Sequence, residues 1–125
     1  MSDVPHAPTG TIASAISNAA VRLLSEYTGR GPTKAKTFIN RDIVVILLAD
    51  TLTKAERSLA ANGQAKAVTD MRHRFQEVMR DDLVGTVEKH LNRKVVAFMS
   101  DNHLDPDMAA ELFVLEPLPE EENAG

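Results

Sequence analysis

Between positions 101 and 107 the chain reads DNHLDPD, with Asp101, His103, Asp105 and Asp107 on alternate residues. Such a set could converge on a divalent cation. It is not an EF-hand loop, because the glycine that loop requires is missing and its twelfth position, counted from Asp101, is Leu112. A tetrahedral zinc site would need a second His or Cys from elsewhere, and the chain has no cysteine. Asp and Asn that bond their own backbone, with Pro106 fixing φ, make a connector between strands instead. Asp101, Asn102, His103, Asp105 and Asp107 therefore stand as candidates for contact with a ligand or a protein partner, and no metal is expected.

The second set is basic. GRGPTK at 29–34 resembles a phosphate loop in composition alone, since a Walker loop runs from strand to helix with a different spacing. Here the order is helix to strand, and the glycines end a helix and turn the chain. Arg30, Lys34 and Lys36 around that turn can hold a small anion such as carboxylate, phosphate or bicarbonate through charge-assisted hydrogen bonds, or contact an acidic partner. His73 lies four residues before Glu77, so on a helix the two face together as a solvated pair. His90, near a helix end, suits the C-terminal dipole when protonated. Nothing like a nucleophile elbow is present, and a chain this size has little room for a water-excluding pocket. Neither an enzyme nor a cofactor is expected.

Composition narrows the classes further. The 125 residues suffice for one core, burying roughly two-thirds of the unfolded surface. With no Trp, one Tyr and four Phe, that core must be mainly aliphatic. Absence of cysteine excludes disulfides and fits a reducing compartment. A net charge of −4 and a lack of sheet aromatics for stacking argue against nucleic acid, although Lys34, Lys36 and Arg41 cluster on one hairpin. Residues 1–10 lack the features of a signal peptide, and no apolar run approaches the roughly 20 residues that span a bilayer. The reading is a soluble cytoplasmic protein without direct membrane insertion.

The elements that must position these side chains read twice in the same order. Residues 11–28 carry Ile12, Ile16, Ala19, Ala20, Leu23, Leu24 and Tyr27 along one helical face, capped by Thr9 or Thr11 and ended by Gly29. Two strands follow within 33–50, joined by a turn at 40–42 in which Asn40 can take positive φ. Thr53 and Glu56 form a capping-box pattern, opening a helical stretch that Gly63 interrupts. The long helix beyond, over 64–91, sets Val68, Met71, Phe75, Val78, Val84, Val87 and Leu91 inward and stops at Asn92. Residues 94–100 and 109–116 make the last two strands, with 101–107 as their loop.

The expectation is a single two-layer α+β domain over 11–116: a four-stranded, mainly antiparallel sheet with helices on one face in an α-β-β-α-β-β pseudo-repeat. A disordered lead-in at 1–10 and an acidic disordered tail at 117–125 flank it. Residues 43–49 and 94–100 are apolar on both alternating faces, while two main helices cover one face. Either the 53–62 segment wraps round to the other face or another subunit covers it, because monomers seldom expose such a patch. In the second case the chain forms a homo-oligomer, most simply a dimer, or holds a tight protein partner.

These residues also resemble the MpsC-like family. The matching words are EYTGRGPTKA at 26–35, DTLTKAE at 50–56, FQExMRxDL at 75–83, RKVVAFMSDNHxDPD at 93–107 and LFVLEP at 112–117. The family is named for a membrane-potential-generating system whose core components look like an inorganic-carbon (bicarbonate/CO2) uptake machine. The resemblance implies a soluble accessory whose partner is a membrane transporter subunit, and it carries no catalytic residues. The leading expectation is thus a non-enzymatic accessory or regulatory protein that self-associates and binds a protein partner. The alternative is a small-anion-binding sensor domain.

Overall fold

The computed structural model describes residues 9–29 and 34–118. Arg30, most of the expected lead-in and the tail beyond 118 lie outside those residues. Helix α1 (Thr9–Thr28) leads to β1 (Lys34–Asn40) and β2 (Ile43–Ala49). Then come α2 (Lys54–Ala61), α3 (Ala65–Leu91), β3 (Val95–His103) and β4 (Met108–Leu115). The four strands form one antiparallel sheet in the order β1-β2-β4-β3. The two hairpins of the pseudo-repeat therefore meet along β2 and β4.

Local chemistry ends each helix as expected. Gly29 adopts φ +71° and its N–H donates to Ser25 O at 2.8 Å. Asn92 stops α3 in the left-handed region, at φ 52°. At α2, Thr53 Oγ1 accepts from Glu56 N at 3.1 Å while Glu56 Oε1 accepts from Thr53 N at 2.8 Å, a complete capping box. Gly63, at φ +81°, separates α2 from α3. Helix α1 already begins at Thr9, so Thr11 lies inside it and does not cap it.

Two local expectations need correction. The β1–β2 turn is Arg41–Asp42, and the residue with positive φ is Arg41 (55°), because Asn40 still pairs with Ile43 in the ladder. Arg93 braces this turn, its guanidinium donating to Arg41 O at 3.0 Å and to Asp42 Oδ1 at 2.6 Å. The buried stripe of α3 is Val68, Arg72, Gln76, Met79, Leu83 and Val87, whereas Val78 is 62% exposed. The stripe keeps helical spacing but includes two polar residues.

The core lies between α1, α3 and one sheet face. Ile16, Ala20 and Leu24 of α1 and Met79, Leu83 and Val87 of α3 meet Val44, Ile46 and Leu48 of β2. Ala109, Phe113 and Leu115 of β4 complete it, and Phe98 meets Phe113 in a tilted contact, 5.1 Å between ring centroids and 53° between planes. Helix α2 packs against α3 rather than wrapping under the sheet. The second face is thus left open among the described residues.

Candidate functional site

Strand register sorts that open face into rows. Phe38, Val45, Leu112 and Met99 lie side by side across β1, β2, β4 and β3. Asn40, Ile43, Val114 and Ala97 form the row on one side; on the other lie Lys36, Leu47, Ala110 and Asp101, and then Lys34, Ala49, Met108 and His103. Phe38 is 49% and Met99 53% exposed. The centre of the face is apolar, and its charges stand on the two edge strands, basic on β1 and acidic on β3. Ala110 leaves a hollow of about 320 Å³ bordered by Leu47, Asp101, His103 and Met108.

The residues singled out in the sequence separate. Lys34 and Lys36 are exposed on β1, with Lys36 Nζ lying 5.5 Å above the Phe38 ring. The 101–107 stretch is not one loop: β3 runs on to His103, so alternation places Asp101 and His103 on the open face and Asn102 on the helix face. Asp101 Oδ1 accepts from Asn102 N at 2.8 Å and sits 3.4 Å from His73 Nε2. These contacts, the backbone bond first, hold its carboxyl below the usual carboxylate range. His73 thus meets Asp101 of β3 and shares a cleft with Glu77, one helical turn on. His103 Nδ1 is 2.8 Å from Pro106 O, inside its own turn, and Asp105 is exposed. Asp107 turns away to its neighbours in the chain's first half. Its carboxylate accepts from Thr51 N (3.1 Å), Thr51 Oγ1 (2.9 Å) and Leu52 N (3.0 Å), tying the residues before α2 to the β3–β4 turn. Among the described residues no group of three or more His, Asp or Glu is placed to hold a metal ion.

A polar network on the helix side was not anticipated. Glu111, 1% exposed, projects from β4 into the core, where Gln76 Nε2 donates to its Oε2 at 3.1 Å. Asn102 Nδ2 in turn donates to Gln76 Oε1 at 2.8 Å. Burial pushes the Glu111 carboxyl up to about 7, against the opposing pull of Gln76, Arg72 and Ser100. Among the described residues Glu111 Oε1 and Asn102 Oδ1 are buried without a hydrogen-bond partner. A proton on Glu111 removes the charge that burial penalises, which is the physical sense of its raised pKa. Arg72, also buried, lies 3.6 Å from Glu56 and donates to Thr51 O at 3.3 Å. The alternation of Glu111 with Ala109, Phe113 and Leu115 is the sequence signal that marks it as inward-facing. Beside this network, α3 and β3 border an open cleft of about 250 Å³ lined by His73, Gln76, Glu77, Arg80, Phe98 and Ser100.

Residues 9–117 match the family described as "Na+-translocating membrane potential-generating system (MpsC)". The chain belongs to the MpsC family. The match covers every helix and strand of this MpsC domain, including the open face and the Glu111 network. No curated protein and no solved structure matches it. Among the described residues no helix of the MpsC domain is long and apolar enough to cross a membrane.

Proposed function

We propose that this MpsC-family protein is a non-enzymatic accessory or regulatory component of an ion- or inorganic-carbon-transport system, one that self-associates and binds a protein partner. The observation that carries this reading is the open sheet face: an apolar surface one strand row after another, with charge confined to its edges. Such a surface suits docking, since it offers area and shape complementarity. The family description supplies the transport context, and a transport partner on the membrane fits a chain that contributes docking surface rather than a span.

The test is native mass spectrometry of the protein purified gently from its own source, alongside a Leu112→Glu variant. Leu112 points to the open face and away from the helix-side core, so the variant should keep its far-ultraviolet circular dichroism. The expected result is an assembly containing more than one copy of this chain together with a transport protein, lost or weakened in the variant. A bare monomer at all concentrations, with no protein attached, would sink the proposal.

A further inference from the structure

We infer that the open face is occupied by a second copy of this chain, packed sheet to sheet about a two-fold axis that runs parallel to the strands between β2 and β4. This rests on the self-association proposed above and specifies how it is made. The argument is one of register. An axis in that direction keeps each row on itself and exchanges left for right, so β1 of one copy lies over β3 of its partner and β2 lies over β4.

Four consequences then coincide. Lys36, on the basic edge, comes over Asp101 of the second copy, and symmetry makes the pair twice. Asp101 is held ionised by its hydrogen bond from Asn102 N and by His73 3.4 Å away, both at Oδ1, so it is a charged acceptor for that lysine. Phe38 comes over Met99 of the second copy, a favourable sulfur–aromatic match for two exposed side chains. In the middle, large meets small: Leu47 over Ala110, and Met108 over Ala49. The hollow above Ala110 is the receptacle this geometry requires for the second copy's Leu47. Aligned sheets cross at about −30°, which offsets the edge strands by a few ångströms, an offset the flexible lysine stem can span.

The competing face-to-face arrangement does worse. A two-fold running across the strands, between the Phe38 and Lys36 rows, sets Phe38 over Lys36 and Met99 over Asp101. It buries both charges against apolar groups with no counter-charge, and it stacks Val45 on Leu47 while leaving the hollow to Leu112. Edge-to-edge pairing through β3 is hindered by the register irregularity between Val95 and Ala97. The footprint of the sheet is on the order of 500 Å² per partner from strand spacing and rise. That is at the upper end of patches carried by monomers and below the ~800 Å² per partner of a standard interface, so dimerisation should depend on concentration.

The decisive experiment is sedimentation velocity of the full chain across a concentration series, with charge-reversal variants. Lys36→Asp and Asp101→Lys should each raise the dimer Kd about tenfold or more, since each turns two attractive pairs into two repulsive ones. The double variant K36D/D101K should return Kd to within about threefold of the unaltered chain. Both side chains are exposed, and unchanged circular dichroism verifies folding. As a second route, Ala110→Leu should weaken the dimer and L47A/A110L should recover it. A dimer abolished by Leu112→Glu but untouched by the charge variants, or not rescued in the double, overturns this two-fold and leaves sheet-face association intact. A dimer that survives Leu112→Glu, or a chain that stays monomeric, overturns both.

Discussion

Replacing Glu111 with Gln should remove most of the pH dependence of stability between pH 4.5 and 8. The glutamine has the same shape and keeps a partner in Gln76, but cannot ionise. In the unaltered chain burial raises the Glu111 pKa from 4.5 to about 7. The folded state therefore holds a proton over a range in which the unfolded state has released it. Stability from this group is complete below pH 4.5, declines as pH rises, and is lost once pH passes about 7. At about 1.4 kcal/mol for each pH unit, the gap between those two values corresponds to a loss of about 3 kcal/mol. Asp70 and Asp101, whose carboxyls are lowered, act with the opposite sign at more acidic pH and are common to both proteins. The difference between variant and unaltered chain thus isolates Glu111. Urea unfolding at pH 4.5, 6, 7 and 8 should show the variant gaining about 3 kcal/mol relative to the unaltered chain across the series, with no change in m-value. If the difference stays flat to within about 0.5 kcal/mol, which is well inside that expected gain, the carboxyl titrates normally and the account of the buried network is wrong.

The remaining predictions concern the anchors and the ligand. Asp107→Ala removes three hydrogen bonds to Thr51 and Leu52 and should cost about 2–4 kcal/mol in denaturant unfolding, while Asp105→Ala, an exposed side chain, should cost less than about 0.5 kcal/mol. Thr53→Ala breaks the capping box at α2 and should cost about 1 kcal/mol, with protection from hydrogen exchange lost first in Lys54–Ala61. Bicarbonate or phosphate should leave the melting temperature unchanged beyond an equal-strength chloride control. A specific rise, which would reach about 2.7 kcal/mol of stabilisation at 100 times Kd, would favour the anion-sensor alternative and make Lys34 and Lys36 the residues to alter first.

The parts of this fold legible in the sequence are those fixed by neighbours in the chain. Gly29, Asn92 and the Thr53–Glu56 box act within one turn of their own helix, and the apolar run 43–49 marks β2 as a strand, although only its helix-side residues Val44, Ile46 and Leu48 are buried. Where distant partners decide, the reading failed in identifiable ways. Counting apolar residues placed Val78 inside α3, although the buried stripe passes through Arg72 and Gln76. Those two are tolerated there because Glu56, Glu111 and Asn102 arrive from other elements to meet them. The alternation of Asp101, His103, Asp105 and Asp107 suggested a single cluster, but a period of two places side chains together only while the strand lasts. Strand β3 ends at His103, and Asp107 is used by Thr51, 56 positions away. The empty second face was the long-range feature that could be inferred, because it follows from how many faces two helices can cover.

The difference between the two ends of a row is also what would give a dimer of this chain a defined register. Strands β1 and β3 hold equivalent places at the two edges of the sheet, as β2 and β4 do at its centre. A sheet carrying the same side chain at both ends of each row would, under a two-fold along the strands, bring like onto like: lysine on lysine at the margins and equal side chains in the middle. Here one row differs from end to end instead, with Lys36 against Asp101 at its margins and Leu47 against Ala110 in its middle. This asymmetry gives the isolated domain little: its edge charges are exposed, Asp101 beside His73 and Lys36 over Phe38, and the hollow over Ala110 leaves neighbouring side chains less covered. It gains its use when the first half of one copy meets the second half of another. Asp101→Lys puts lysine at both ends of that row and should leave the chain folded but without a preferred way to pair.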